Sequence, residues 1–424
     1  MRLAIRFYLK NKALKYPLFR NYLLQRFCIV LGLLMQNTIL VYWLYNLTND
    51  VWSIGKLGLF EAIPAIGFSL FSGHFVEQRE KRTLLLWCIS AYVLLSFGYI
   101  LLSFATERQA LSIPLVTNLV YFGFFINGTI RSVLSPSNFS ILGLLVPRRL
   151  YPNAATWSST AWQTGGVLGP LTGGLLIAYL SVPEALTGVV FFQIISLIAV
   201  LRIPRQPVLK KEKEPVMHSL REGLRFVFTS QIILAVLALD MFAVLFGGAT
   251  ALLPVFARDI LKVGEIGYGW LRAAPGMGAI ISFFILAWIP LKTKPGVKLL
   301  LSIAGYGLAI LIFGISKNVF LSFGMLLISG MLDAVSVVVR STVLQIYSPD
   351  EMRGRVSAVN TMFVSSSNEI GEVESGITAK WMGTVPAVIF GGCMTILVVA
   401  VTWFAAPKVP RLSLNPATGP EQKT

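Results

Sequence analysis

Twelve long apolar runs, each bounded by charge, proline or glycine, constrain this chain more than any other feature. A helix that crosses a bilayer needs about 20 mostly apolar residues, and only a helix or a closed barrel satisfies its own backbone in lipid. The runs lie near 21–46, 53–74, 83–104, 114–145, 154–180 and 185–201, then near 231–257, 265–290, 299–316, 318–346, 356–379 and 384–406. Twelve spans consume roughly 240–300 residues, so the rest suffices for loops, tails and one linker but not for an extra globular domain. The charged fraction of 13%, against ~25% in soluble domains, excludes a soluble enzyme. The fold class is an all-α membrane protein of 12 transmembrane helices.

A net charge of +17, from 36 Lys and Arg against 19 Asp and Glu, would suggest nucleic acid on a soluble protein. Its placement points to membrane topology instead. The N-terminal tail carries Arg2, Arg6, Lys10, Lys12, Lys15 and Arg20, and alternate connections add Arg79, Lys81, Arg82, Arg148, Arg149, Lys292, Lys294, Lys298, Arg353 and Arg355. The connections on the opposite side hold few cations. Positive charge stays on the cytoplasmic side, where both termini are therefore expected. No short apolar region with a cleavage site follows the basic N-terminus, so the first span is expected to remain. Cys28, Cys88 and Cys393 all lie in apolar stretches and imply no disulfide framework.

The longest connection, 202–230, is basic, and SLREGLRFVFTS within it has the pattern of an amphipathic surface helix. It reads either as a strap that sets topology or as a surface for anionic lipid or an acidic partner. His218, with no cysteine or second histidine nearby, is not read as a metal ligand.

An internal repeat sets the domain plan. At an offset of 202, LGPLTGG at 168–174 faces IGEVESG at 370–376 and Gly128 falls on Gly330; at 211, Pro64 meets Pro275 and Gly67 meets Gly278. The plan is therefore two pseudo-symmetric six-helix bundles, 1–201 and 231–424, joined by a cytoplasmic linker at 202–230, with the substrate near the bilayer midplane. Charge is exchanged between repeat positions, since Arg131 corresponds to Asp333, Glu61 to Arg272 and Pro170 to Glu372. The third, sixth, ninth and twelfth spans contain no charge and are expected to face lipid. The first, fourth, seventh and tenth carry Arg26, Arg131, Asp240, Asp333 and Arg340 and are expected to line a polar cavity.

Two motifs resemble the major facilitator superfamily, and the likeness extends over essentially the whole chain. GHFVEQREKR at 73–82 is similar to the superfamily's motif between its second and third helices, with Gly73, Lys81 and Arg82 fitting. Glu77 stands where Asp is usual, Gln78 where Arg is usual and Glu80 where Gly is usual. GGVLGPLTGG at 165–174 matches its antiporter motif completely through Gly165, Gly169, Pro170, Gly173 and Gly174. That spacing also fits an ordinary glycine-rich packing face. In the superfamily it goes with export. LLPVFARDIL, RAAPGMGA, MRGRVSAVN and SNEIGEVESG resemble the drug and siderophore exporter branch, that of enterobactin exporters and macrolide-efflux proteins.

Asp240 lies about nine residues into its span, roughly 14 Å deep, where a carboxylate either exchanges protons with a cavity or pairs with Arg26 or another cation. Glu369 and Glu372 share a face of the eleventh span, with Asn368 beside them, and the first candidates for proton coupling are Asp240, then Glu372, with Glu369 in reserve. Arg131, Asp333, Arg26, Asn37, Trp43, Trp157 and Asn368 are the cavity or substrate candidates. Glu61 and Arg272 are expected to form an outer gating pair, with Gly73, Glu77, Lys81 and Arg82 gating at the motif loop. The expected function is a secondary active exporter, a proton antiporter expelling a small amphipathic molecule by alternating access. A facilitator or importer, and a non-transporting receptor of the same fold, compete with it. The expected partners are a small-molecule substrate, protons and membrane lipid. No nucleic acid, cofactor or metal is expected, and the chain should act as a monomer. No Walker loop, zinc spacing or nucleophile elbow is present in the sequence.

Overall fold

The computed structural model describes residues 12–206, 216–288, 294–349 and 352–412. Among these, twelve long helices follow one another in chain order. Helices one to six are Pro17–Thr48, Val51–Gln78, Lys81–Glu107, Ile113–Leu145, Tyr151–Tyr179 and Val182–Leu201. Helix seven starts as Gln231–Phe246, and helices eight to twelve are Gly264–Trp288, Pro295–Ile315, Val319–Tyr347, Arg353–Met382 and Thr384–Ala405. A separate linker helix, Val216–Thr229, precedes helix seven.

Ten of the described helices are long and apolar enough to cross a membrane. Helices five and eleven are long but too polar to qualify. Their exposed surface explains this: helix five shows Thr156, Ser159 and Thr160 to the outside, and helix eleven shows Ser357, Thr361 and Asn368. Several of these groups donate back to their own helix, Thr160 to the Thr156 carbonyl, Thr361 to that of Ser357 and Asn368 to that of Val364. Helix three presents the opposite chemistry, exposing Trp87, Leu94, Phe97 and Leu101, and helix six exposes Phe191, Ile194 and Ile198. Helices nine and twelve likewise expose Leu301, Leu308, Leu397 and Phe404. On helix three Cys88 itself turns inward and is buried, whereas Cys393 on helix twelve is exposed.

Two compact units divide the chain. The first comprises Met1–Asn49, Phe60–Glu212 and Gly264–Ala273; the second comprises Asp50–Leu59, Lys213–Val263 and Ala274–Thr424. The core of the first unit packs Phe19, Tyr22 and Ile29 of helix one with Leu85, Ile89 and Tyr92 of helix three, Ile141 of helix four and Val200 of helix six. The second unit packs Val236 and Leu239 of helix seven with Leu299 and Ile303 of helix nine and Val339 and Val343 of helix ten. The linker helix joins the second unit through Val227, which lies with Leu237, Val356 and Val359. Gly223 brings its backbone against Arg355, and Arg355 pairs with Glu222.

Helix seven is interrupted where the sequence suggests one run over 231–257. Gly247 and Gly248 end its first segment, a 3-10 turn Ala249–Leu252 follows, and Phe256–Ile260 forms a π-helical turn. Adjacent glycines lower the cost of leaving the helix, and side chains satisfy the carbonyls so released. The Tyr306 hydroxyl donates to the Gly247 carbonyl at 2.9 Å and Ser375 to that of Gly248 at 3.2 Å.

Candidate functional site

In the first unit, an ion pair lies inside the spans among the described residues. Pro64, within helix two, has no amide proton and so frees one carbonyl a turn earlier. Gly128 of helix four faces that bend: a methyl there would collide with the Glu61 carbonyl and lie 2.9 Å from Pro64 Cγ. The close approach brings Arg131, three residues beyond Gly128, to Glu61, and its Nη1 donates to Glu61 Oε1 at 2.8 Å. Glu61 is buried, with 8% of its side chain exposed, while Arg131 remains 39% exposed. Arg272 donates to Asn37 Oδ1 at 2.5 Å. Each member of the expected Glu61–Arg272 gate therefore has a different partner within the same unit.

In the second unit, Asp240 of helix seven pairs with Arg340 of helix ten, and both side chains are buried, at 6% and 8% exposure. Ser336, one turn before Arg340, donates to Asp240 Oδ1 at 3.4 Å. Of the partners open to Asp240 by sequence, the structure selects this other cation rather than Arg26. Asp333 stands half-buried two turns before Arg340.

The glycines of the helix-five motif lie along helix one. A methyl at Gly165 would sit 3.1 Å from the Leu31 amide nitrogen, at Gly169 2.9 Å from the Leu31 carbonyl, and at Gly173 3.1 Å from the Met35 carbonyl. Successive glycines meet successive turns, so the two helices run parallel with their backbones nearly touching. Pro170 lies within helix five, with its carbonyl 2.9 Å from where a methyl on Gly269 would be. At the end of the motif, a methyl on Gly174 would sit 2.7 Å from the Gly269 α-carbon. The second unit contains the counterpart: Gly376, 202 residues after Gly174, lies against Gly55 of helix two. Gly330, the counterpart of Gly128, likewise meets the Pro275 carbonyl. The contact of Gly128 with Pro64 thus recurs between Gly330 and Pro275, whereas Gly67 faces open space and its counterpart Gly278 meets the Leu327 carbonyl.

Helix eleven carries the acidic cluster. Glu369 is buried, Glu372 half-buried and Asn368 exposed, with the Asn368 amide donating to the Val364 carbonyl at 2.9 Å. The Glu372 side chain lies against Gly58, whose missing Cβ would be 2.8 Å from Glu372 Cβ. Of the two aromatic candidates, Trp43 is buried and Trp157 half-buried; a further tryptophan of helix five, Trp162, is 46% exposed.

At the motif loop, the surroundings of Gly73 and the side chain of Glu77 fall outside the described residues. Lys81 donates to the carbonyls of Val76 and Arg79 at the end of helix two. Arg82 reaches the Val200 and Leu201 carbonyls at the end of helix six, at 3.4 and 3.2 Å. Both cations thus occupy helix C-termini, where orphan carbonyls and the helix dipole favour positive charge. Glu80 caps the start of helix three, accepting from the Arg82 and Thr83 amides and the Thr83 hydroxyl, and also from the Gln206 amide. Burial raises its pKa, but the hydrogen bonds from Thr83, Gln206 and Arg82 outweigh that and hold the carboxyl below its ordinary value. Sequence reasoning passed over Glu80 as a departure from the motif. Its signal was an acid immediately before a helix start.

Similarity to known proteins follows the same lines. The family described as transmembrane secretion effector matches residues 13–421. The chain is 25% identical over 361 residues to the enterobactin exporter EntS of Escherichia coli O1:K1 / APEC, covering 84% of each chain, and equally to that of Shigella boydii serotype 18. Among solved structures, a bacterial homolog of the human lysosomal transporter Spinster aligns with a TM-score of 0.63 at 15% identity, covering 95% of this chain and 96% of that one. The nucleoside transporter NupG aligns with a TM-score of 0.70 at 12% identity, covering 92% and 100%. These structures share the major facilitator fold. The chain belongs to the transmembrane secretion effector family of major facilitator transporters.

Proposed function

We propose that this transporter is a secondary active exporter that uses an inward proton gradient to expel a small amphipathic molecule, of the siderophore or drug-like kind. The observation that carries the reading is the complete helix-five motif, with Gly165, Gly169 and Gly173 laid along the backbone of helix one. The likeness to enterobactin exporters supports the direction of transport. In this reading the two repeat halves, 1–201 and 231–424, rock about the substrate, and the basic tail, alternate loops and linker keep both termini in the cytoplasm.

Proton coupling requires a carboxylate whose charge changes between conformations. Asp240 is sealed against Arg340, which suits a structural role in holding helices seven and ten together. Glu372 is half-buried on the helix whose outer face is polar, and it occupies the repeat position of Pro170. We therefore place Glu372 first among the coupling acids, with Asp240 and Glu369 behind it.

The test is flux in proteoliposomes with an imposed pH gradient and a panel of siderophores, macrolides and lipophilic cations. Uphill accumulation that follows the gradient and is abolished by Glu372→Gln, with downhill exchange retained, is the expected result. Transport that ignores the gradient would identify a facilitator, and no transport of any panel member would return the non-transporting receptor.

A further inference from the structure

The first unit contains an unbalanced positive charge. Away from helix ends, its described residues hold three guanidinium groups, Arg26, Arg131 and Arg272, and one carboxylate, Glu61. Arg131 takes Glu61, and Arg272 takes the neutral Asn37. Arg26 has no carboxylate partner among the described residues, and its Nε is shut off from solvent with no hydrogen-bond acceptor. A cation inside a spanning helix is costly unless an anion or water meets it.

What surrounds Arg26 follows from the register between helices one and five. Tyr22, one turn before Arg26, is hydrogen-bonded to Ser158 at 3.0 Å and donates to the Asn138 carbonyl at 3.2 Å. The helices run parallel, so Arg26, four residues after Tyr22, stands level with Trp162, four after Ser158. Trp162 is an exposed aromatic in the middle of helix five, whose other exposed rings, Tyr151 and Tyr179, lie at its two ends; Thr156, Ser159 and Thr160 are exposed nearby. Asn138, itself 1% exposed, has its Oδ1 without a donor. The arrangement combines a cation lacking an anion, a flat apolar wall at the same level and a hydroxyl-lined polar face.

We infer that Arg26 and Trp162 form a subsite for an organic anion, in which Arg26 receives the carboxylate, sulfonate or phosphonate head and Trp162 covers the apolar body. The inference rests on the export reading and specifies its substrate class as anionic amphiphiles. Arg26 presents a planar fork of donors suited to an oxyanion. An anionic lipid head offers the same chemistry, and the phosphatidylglycerol arm of the test below separates the two sources.

The test uses the full chain in neutral detergent and radiolabelled naphthalene probes that share one ring system. Three carry a carboxylate, sulfonate or phosphonate head, and the fourth carries a neutral carboxamide. The wild type should bind at least one anion about tenfold more tightly than the amide. Arg26→Gln should bring that ratio close to one, and Arg26→Lys should restore part of it. Unfolding temperature identifies any variant that has failed to fold, and Trp162→Ala provides a second route, since it should weaken anion and amide together. No anion preference in the wild type, or a preference that survives Arg26→Gln, would overturn the subsite. Loss of the preference on adding short-chain phosphatidylglycerol would assign Arg26 to lipid and overturn it equally. Gradient-driven export without an Arg26-dependent anion preference would remove this inference alone. The preference without gradient-driven export would remove the export reading and leave the subsite standing.

Discussion

The two units each place an arginine and an acid inside their spans, but they bury the pairs differently. In the second unit, Asp240 and Arg340 are both sealed, with Ser336 supplying one further hydrogen bond. In the first, Glu61 is sealed while Arg131 keeps more than a third of its side chain exposed. A pair buried on both sides cannot lose one member without stranding the other's charge, whereas a half-exposed guanidinium can turn to water. The contrast marks Asp240–Arg340 as a structural clamp and Glu61–Arg131 as a pair that can open without unfolding its surroundings.

The largest effect is therefore expected in the second unit. Asp240→Asn or Arg340→Gln alone should destabilise the protein by about 3–5 kcal/mol, the usual cost of breaking a buried pair. The double variant Asp240→Asn, Arg340→Gln should recover a large part of that loss. Unfolding temperatures in detergent would measure the cycle. Equal, additive losses would mean that the two side chains do not act as a pair, and the contrast between the units would disappear.

A smaller and unequal effect is expected in the first unit. Glu61→Gln leaves Arg131 able to be hydrated and should cost about 1 kcal/mol or less. Arg131→Gln leaves a carboxylate with 8% exposure and should cost more, by roughly 1–3 kcal/mol. The same unfolding measurement tests this order. If the two variants lose equal stability, exposure of Arg131 does not set the cost of losing its partner.

These partners were the part of the site least legible in the sequence. The twelve runs, the repeat and the glycine motif were all readable, because each rests on spacing along one segment. The pairing of Glu61 depends instead on which neighbour stands at its level across a helix interface. Charge exchange between Glu61 and Arg272 suggested that they meet, yet Gly128 opens helix four to the bend at Pro64 and brings Arg131 to Glu61 first. The break in helix seven was visible as Gly247-Gly248, but its stability depends on Tyr306 and Ser375, donors 59 and 127 residues away. Helices five and eleven show the converse. Their positions, read near 154–180 and 356–379, lie within about three residues of Tyr151–Tyr179 and Arg353–Met382, although neither is apolar enough to qualify as a span.

The smallest effect concerns two helix caps, one in each unit. Helix three is capped by the carboxylate of Glu80, helix ten by the amide of Asn318, which accepts from the Phe320 and Leu321 amides at 2.9 and 3.1 Å. Removing either cap should cost about 0.5–2 kcal/mol at neutral pH. Only the first cap titrates. Because folding lowers the pKa of Glu80, its carboxylate stabilises the native state above the ordinary carboxylate value of about 4.3, and that contribution fades as pH falls through the lower folded value. The difference in unfolding temperature between wild type and Glu80→Gln should thus be present at pH 7 and close as the solution is acidified. The difference for Asn318→Ala should stay level over the same range. Should the Glu80→Gln difference persist unchanged at the acidic end, the four hydrogen bonds to its carboxylate do not depend on its charge, and the cap of helix three works like its neutral counterpart on helix ten.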